Sequence, residues 1–262
     1  MRIYMMLALL AISVPVLAAS APEMTEKSTA APKIPTAVTK TLEYVQRLVK
    51  KDAEKASVTP APVAGLYEAE VGSMVFYISA DGNQFMIGTI YEPGVDDAPP
   101  KNITEQKRNK LRADVIDAQS DSETVVFAPD TDTKYTVNVF TDVDCGYCAK
   151  FHQQVPELNK KGVKVRYLAF PRAGVGSPTY NKMVSVWCAE DQQKAMTDAK
   201  AGVKIKTATC NNPIANQLNL GQSIGINGTP AMVLSDGELV PGYMETTRLL
   251  LKLQQTSRKT GK

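Results

Sequence analysis

The sequence predicts a mixed α+β and α/β protein in which a large α/β domain with a helical insertion follows a small β-rich domain, the two joined by a helix. Three observations carry that reading. A β-rich run, Tyr135 to Thr141, leads into Cys145-Gly146-Tyr147-Cys148, then a helical stretch, then a second β-rich run from Val163 to Phe170. Several short β-rich runs with turn residues between them fall between Leu66 and Ile90. A polar, helix-forming stretch at 101–121 separates the two regions.

From the N-terminus, Met1-Arg2 precedes an apolar run from Ile3 to Leu17 and the small residues Ala18-Ala19-Ser20-Ala21. Positive start, apolar middle and small end describe a secretory signal peptide over 1–20. Pro15 interrupts the run, which is shorter than the ~20 residues a spanning helix needs. The competing reading is an uncleaved membrane anchor. Residues 21–37, rich in Ala, Pro, Ser, Thr and Lys, read as a flexible leader.

An N-terminal domain is expected over 38–100. Val38, Leu42, Val45 and Val49 recur at helical spacing, so a short amphipathic helix runs from Val38 to about Lys51, ended by Thr59-Pro60-Ala61-Pro62. Strands are expected at Leu66 to Val71, Met74 to Ile78 and Gln84 to Ile90, with a turn at Ala80-Asp81-Gly82-Asn83 between the last two. So small a sheet cannot bury both faces alone, so it must pack on the rest of the chain or on a second copy. Gly94 to Pro100 is a polar loop. Asn102-Ile103-Thr104-Glu105 then resembles a capping box opening the linker helix of 101–121. Its apolar residues are sparse (Ile103, Leu111, Val115, Ile116), as in helices that bridge domains.

The second domain, 122–262, begins near Glu123. The β–α–β order around Cys-x-x-Cys reads as a thioredoxin-like unit with parallel strands. Its helix is expected to run from the motif to about Lys160. A helical insertion, about Thr179 to Leu220, carries Cys188 and Cys210. Thr229 to Leu234 and Glu238 to Pro241 form a hairpin around Ser235-Asp236-Gly237, and a helix from Thr246 to about Gln255 closes the domain.

A formal charge of +3 without basic or acidic blocks argues against nucleic-acid partners. In an exported chain, the even cysteine count (Cys145, Cys148, Cys188, Cys210) favours disulfides over a zinc site. No metal or other cofactor is expected: zinc wants four ligands and the chain has one histidine, His152, while a c-type haem needs His where Ala149 stands.

Two cysteines three apart at a helix start close a disulfide with little backbone movement. The first sits where helix N–H groups favour an anion. A free thiol titrates at ~8.5, so about 3% is thiolate at neutral pH. The helix field is worth at most ~1.5 pKa units, which leaves Cys145 roughly half ionised unless local donors help. Asp142 and Asp144 oppose this unless they point away, the orientation expected. Cys145, at the helix mouth, is the expected nucleophile. Cys148, a turn inside and more buried, is expected to attack a mixed disulfide and free it. A plain structural bridge between the two is the alternative. Cys188 and Cys210 either form a structural bridge, closing a loop of about 22 residues worth ~3.4 kcal/mol, or a second redox pair. Four cysteines allow three connectivities, and spacing favours 145–148 with 188–210.

Thr229-Pro230 precedes a β run. Pro230 is either a cis proline beside the motif or an ordinary trans proline at a strand start. His152, one turn beyond Cys148, is more often a packing residue than a catalyst, and Trp187 is expected in the core. Asn102-Ile103-Thr104 and Asn227-Gly228-Thr229 match the glycosylation sequon, but a glycan at Asn227 would crowd the Thr229 site.

Phe140 to Cys148, Val165 to Arg172, Val186-Trp187-Cys188-Ala189, Gly228-Thr229-Pro230-Ala231, Leu239 to Tyr243 and Pro60 to Gly65 together resemble the DsbC-type periplasmic disulfide isomerases. The resemblance implies a V-shaped homodimer paired through the N-terminal domains. It implies misoxidised periplasmic proteins as substrates, a cis Pro230 with Thr229 beside the active cysteines, and a DsbD-type membrane reductase that keeps them reduced. Thioredoxins carry a buried acid six residues before the first Cys; Val139 holds that place here. Ala149 stands where a His or similar polar residue is expected. Isomerase action, with chaperone activity beside it, is the leading expectation. An oxidase or client-specific reductase, and a cleft-binding chaperone whose cysteines are secondary, are the alternatives.

Overall fold

The first helix, α1 (Thr36–Leu48), buries Val38, Leu42 and Val45 on one face, the 3-4 spacing that its sequence offers. A computed structural model describes this protein over residues 33–49 and 56–260, and Ile34 onward forms a single compact unit. The expected signal peptide, most of the expected leader and the expected end of the first helix at 50–51 lie outside the described residues. α1 packs on a four-stranded antiparallel sheet of order β1-β2-β3-β4: β1 (Ala56–Pro60), β2 (Leu66–Val71), β3 (Met74–Ser79) and β4 (Phe85–Met86). Ala69, Val71, Phe76 and Ile78 meet the helix residues to form a small core.

Two sequence expectations change here. Thr59-Pro60 belongs to an edge strand, where proline's missing N–H costs no ladder bond. The expected strand Gln84 to Ile90 shortens to Phe85–Met86. The Gly88 carbonyl is taken by Arg108 Nη2 at 3.0 Å, and the Ile90 N–H by the Thr104 hydroxyl at 2.8 Å, so both leave the ladder. The chain then pairs β5 (Tyr91–Glu92) with β6 (Lys101–Asn102) around the polar loop.

The linker helix α2 (Ile103–Asp117) starts as a half capping box. Asn102 Oδ1 accepts from the Glu105 N–H at 2.8 Å, but the Glu105 carboxylate turns to Arg112 at 2.7 Å. The helix touches both regions. Its first turn holds the N-terminal sheet through Thr104, whose hydroxyl lies 2.5 Å from that of Tyr77, and through Lys107, paired with Glu68 and Glu70. Its last turn buries Ile116 among Phe140, Leu168, Ile224 and Val233. Between these, buried Arg112 donates to the carbonyls of Ile224 and Gly237, both at 3.1 Å. Gly237 has φ 78°, and a Cβ there would meet the Asn109 carbonyl oxygen at 1.7 Å, so only glycine lets helix and hairpin come this close.

The larger sheet has order β11-β10-β8-β9-β7, from β7 (Val125–Phe127), β8 (Tyr135–Thr141), β9 (Val163–Ala169), β10 (Ala231–Val233) and β11 (Leu239–Pro241). β8 and β9 are parallel, in register from Tyr135 opposite Val163 to Thr141 opposite Ala169. The other pairs are antiparallel. β7 has no counterpart among the expected strands; three residues are too few for a periodic signal. Between β8 and β9, the one expected helix is two: α3 (Gly146–His152) and α4 (Val155–Lys160). Pro156 explains the break, since it lacks an N–H and its ring would strike the carbonyl four residues back. The insertion contains α5 (Pro178–Trp187), α6 (Gln192–Lys200) and α7 (Ile214–Ser223), and α8 (Thr246–Thr260) closes the domain, running past the expected end at Gln255.

Arg112→Met would leave two buried carbonyls unpaired, and should destabilise the fold by about 2–4 kcal/mol. Urea unfolding of the purified variant measures this, with the linker amides among the first to exchange hydrogen.

Candidate active site

The parallel β8–β9 pair ends at Thr141 and Ala169, and from its carboxyl edge the chain turns through Asp142 to Asp144 into α3. Cys145 is the N-cap of that helix. Its Sγ accepts from the Cys148 N–H at 3.4 Å, and its thiol donates to the Thr229 carbonyl at 3.3 Å. The Thr229-Pro230 peptide is cis. The motif and Thr229-Pro230, 84 residues apart in sequence, therefore meet at one sulfur.

Both sulfurs are reduced, and neither is open: Cys145 is 5% exposed and Cys148 1%. The sequence reading placed Cys145 at a more open edge than this. Cys145 reaches solvent through a cleft of about 600 Å³ that it shares with Asp144, Gly146, Asn181 and Lys204. Gly146 has open space where a Cβ would stand, and Tyr147 is 64% exposed on the rim, its ring 6.3 Å from that of Tyr243. Lys150 Nζ lies 4.5 Å from the Tyr243 ring centroid.

The two thiols are pushed apart in acidity. For Cys145, burial favours the neutral form, but donors poised for its thiolate at Thr229 and Cys148, and the charge of Arg172, outweigh it, so its pKa falls below the ordinary value. For Cys148, burial is dominant and raises the pKa, against the opposing charge of Lys200 and contacts from Asp142, Thr229 and Thr141. The Thr229 hydroxyl is buried with no hydrogen-bond partner beside the two neutral thiols. A hydroxyl so placed is a donor waiting for a thiolate, which is why it favours the charged form of both sulfurs. α3 has only seven residues, so nearby donors matter more here than the field of a long helix.

The acids beside the motif are turned aside. Asp142 accepts from the Arg172 N–H and Nε, both at 3.0 Å, and from the Asp144 N–H at 2.8 Å. Asp144 pairs with Lys182 and accepts from Thr179 at 2.6 Å. Arg172, which brings positive charge toward Cys145, was not singled out by the sequence reading. Neither was Lys200, which reaches in from α6 with Nζ 2.7 Å from the Thr141 hydroxyl. No spacing rule links α6 to the motif.

Cys188 and Cys210 form a disulfide, with S–S 2.00 Å and Cα–Cα 5.6 Å, tying the end of α5 to the segment before α7. Trp187 is in the core, its indole N–H donating to the Glu123 carbonyl at 3.0 Å. His152 is buried behind α3. The Thr197 hydroxyl donates to the Gln193 carbonyl at 2.8 Å and so accepts from His152 Nε2 at 3.0 Å, which leaves Nδ1 to accept from the Tyr167 hydroxyl at 3.0 Å. His152 is thus a neutral packing residue whose tautomer is fixed. Among the described residues, no group of three or more His, Cys, Asp or Glu is placed to hold a metal ion.

A five-stranded sheet with a reduced Cys-x-x-Cys at the start of α3, facing a Thr-Pro segment, defines a thiol:disulfide oxidoreductase of thioredoxin-like fold. Comparison with known proteins narrows this. Residues 123–257 match the thioredoxin-like domain and residues 26–105 the disulfide bond isomerase protein N-terminal domain. The chain is 39% identical over 215 residues to the thiol:disulfide interchange protein DsbC of Salmonella typhimurium, covering 82% of this chain and 87% of that one. The Escherichia coli K12 protein of the same name matches equally, with 88% of its length covered. A solved disulfide interchange protein from Neisseria gonorrhoeae is 28% identical over 52% of this chain and 97% of its own, with a TM-score of 0.47. The chain belongs to the DsbC family of thiol:disulfide isomerases.

Burial, with the nearby charge of Lys200, lowers the His152 pKa from 6.5 to about 4. The unfolded chain therefore binds a proton between those values that the native state refuses. Stability from this group is fully present above pH 6.5 and declines as pH falls toward 4, by about 3 kcal/mol in all. Denaturant unfolding at pH 7 and pH 4.5 should show the loss, and His152→Gln should reduce it by ~2 kcal/mol.

Proposed function

We propose that this chain reshuffles wrong disulfides in exported proteins of the periplasm, with Cys145 as the nucleophile. The observation that carries the reading is the opposite displacement of the two thiols: Cys145 is the more acidic and opens on the cleft, while Cys148 is the less acidic and lies beneath it. The Cys145 thiolate attacks one sulfur of a substrate disulfide. A bond forms between Cys145 and that sulfur, and the other substrate sulfur leaves as a thiolate. A substrate thiolate then attacks the mixed disulfide, forms the new pairing and releases Cys145. Where no substrate thiol arrives, Cys148 attacks instead, and the substrate departs reduced. The oxidised Cys145–Cys148 pair then needs an external reductant, for which a DsbD-type membrane reductase is the proposed partner.

Thr229 and Pro230 form the substrate-facing wall. The cis peptide lies directly over Cys145, and the aromatic rim of Tyr147 and Tyr243 offers apolar contact to an unfolded segment. The Cys188–Cys210 bridge is assigned a structural role, away from the exchanging pair.

The N-terminal sheet is proposed as the pairing surface of a homodimer. Met86 on β4 and Ile87 just after it are exposed, with Tyr44 of α1 and Tyr91 of β5 exposed elsewhere in the same N-terminal region, and β4 is a two-residue edge strand. Paired copies would face two catalytic clefts toward one client, which also supports chaperone activity. Sedimentation of the full-length mature protein should give a dimer, and Ile87→Asp should shift it toward monomer.

Refolding of a scrambled multi-disulfide protein tests the chemistry. Cys145→Ala should fall to the uncatalysed rate. Cys148→Ala should still attack substrate and accumulate mixed disulfides, visible on non-reducing gels. Alkylation of Cys145 should have its pH midpoint below the ordinary thiol value of ~8.5. Full activity in Cys145→Ala would overturn the assignment.

A further inference from the structure

Lys200 is 8% exposed, at the carboxyl end of α6, and its ammonium points under the active-site helix. Nζ donates to the Thr141 hydroxyl at 2.7 Å and lies 3.4 Å from the Asp142 carbonyl oxygen, with the Tyr167 ring centroid 5.5 Å away. The same Thr141 hydroxyl and Asp142 backbone favour the charged form of Cys148, and Lys200 lines the cleft onto which its partner Cys145 opens. No carboxylate among the described residues forms an ion pair with Lys200, because the two candidates are taken, Asp142 by Arg172 and Asp144 by Lys182. A buried ammonium without a counter-ion is costly. The groups here that can become anionic beside it are the two thiols.

We propose that Lys200 is the counter-charge of the Cys145–Cys148 pair, stabilising the Cys148 thiolate that forms during resolution and the Cys145 thiolate of the reduced enzyme, and so favouring the reduced state. The proposal rests on Cys148 acting as the resolving thiol. During resolution the Cys148 proton leaves to solvent through the cleft, and the Lys200 ammonium stays beside the thiolate left behind. The thiolate attacks Cys145 Sγ, the Cys145–Cys148 bond forms, the Cys145–substrate bond breaks, and the substrate sulfur leaves as a thiolate. Cys148 is oxidised and the substrate sulfur reduced. In the reduced enzyme Cys145, the more acidic thiol, faces Lys200 across the shared cleft as a thiolate, whereas in the resulting disulfide no anion does, so the oxidised form carries more of the cost of the buried cation. Reduction is thereby favoured, as an isomerase requires. Lys200 also lines two clefts, the one that opens on Cys145 and a second of about 670 Å³ beside His152, which gives the proton a path to solvent.

The titrating and charged groups around Nζ are Cys145, Cys148 and His152 from α3, Asp142 and Asp144 from the preceding turn, and Tyr167 from β9. Burial lowers the Lys200 pKa and the thiols raise it, the balance being below the ordinary value.

Lys200→Met keeps the length of the side chain and removes the charge. Lys200→Gln removes the charge and keeps a hydrogen-bond donor. Two readouts separate charge from packing: the equilibrium of the Cys145–Cys148 pair with glutathione, and the pH dependence of Cys148 alkylation in a Cys145→Ala background. Both variants should shift the glutathione equilibrium about tenfold toward the disulfide, equivalent to ~30 mV. Both should move the Cys148 midpoint upward by about one pH unit. An equilibrium within about twofold of the parent and a midpoint within about 0.3 pH unit of it, in either correctly folded variant, would overturn the proposal. So would a shift in Lys200→Met that Lys200→Gln fully restores, since a hydrogen bond and not a charge would then be responsible. The Cys148 titration is read without substrate, so it stands apart from any failure of the isomerase assay.

Discussion

One sulfur joins two distant parts of the chain. Cys145 Sγ takes an N–H from its own helix and gives its proton to the carbonyl of Thr229, across 84 residues. That meeting requires β8, which leads into the motif, and β10, which follows Thr229-Pro230, to lie side by side. It requires β9 to pair in parallel on the other side, so that α3 is held over the carboxyl edge of the sheet. The fully buried layer of Val137, Val139, Val165 and Tyr167 holds this arrangement in place. The insertion with its disulfide then brings α6 under the site.

The sequence made the helix mouth and the Thr-Pro segment legible because both are punctuated by residues with few other uses: paired cysteines, and a proline before a β run. It made α1 and the β8–β9 pair legible through period. The small errors have local causes. Pro60 was read as a terminator, but an edge strand tolerates proline. The helix after the motif was read through Pro156, which in fact divides it. Gln84 to Ile90 has strand propensity, yet hydrogen bonds from α2 take its backbone groups. That competition is tertiary, and no local window contains it.

The electrostatics of the site were legible only in part. The expectation that Asp142 and Asp144 turn from the sulfur agrees with their pairing to Arg172 and Lys182. The cations themselves lie 24 and more residues beyond Cys148 and carry no motif. Lys200 in particular sits in a helix whose sequence, Gln192 to Lys200, reads as an ordinary polar surface helix. Its burial follows from how α6 packs against α3, which sequence pattern alone does not specify.

The separation of the two acidities bears on why such a site would isomerise more than it oxidises or reduces. A mixed disulfide has two fates: attack by a thiol of the substrate, which reshuffles, or attack by Cys148, which ends the visit with a reduced substrate. The second fate requires Cys148 to ionise, and burial opposes that. A Cys148 with no help would leave the enzyme trapped whenever the substrate offers no thiol. A Cys148 as acidic as Cys145 would end most visits before reshuffling. A buried cation that offsets part of the burial penalty, and leaves the Cys148 pKa still raised, sits between these extremes. On this argument the position of one lysine on α6 sets how long a substrate is held, and the sheet geometry sets only that it can be held at all.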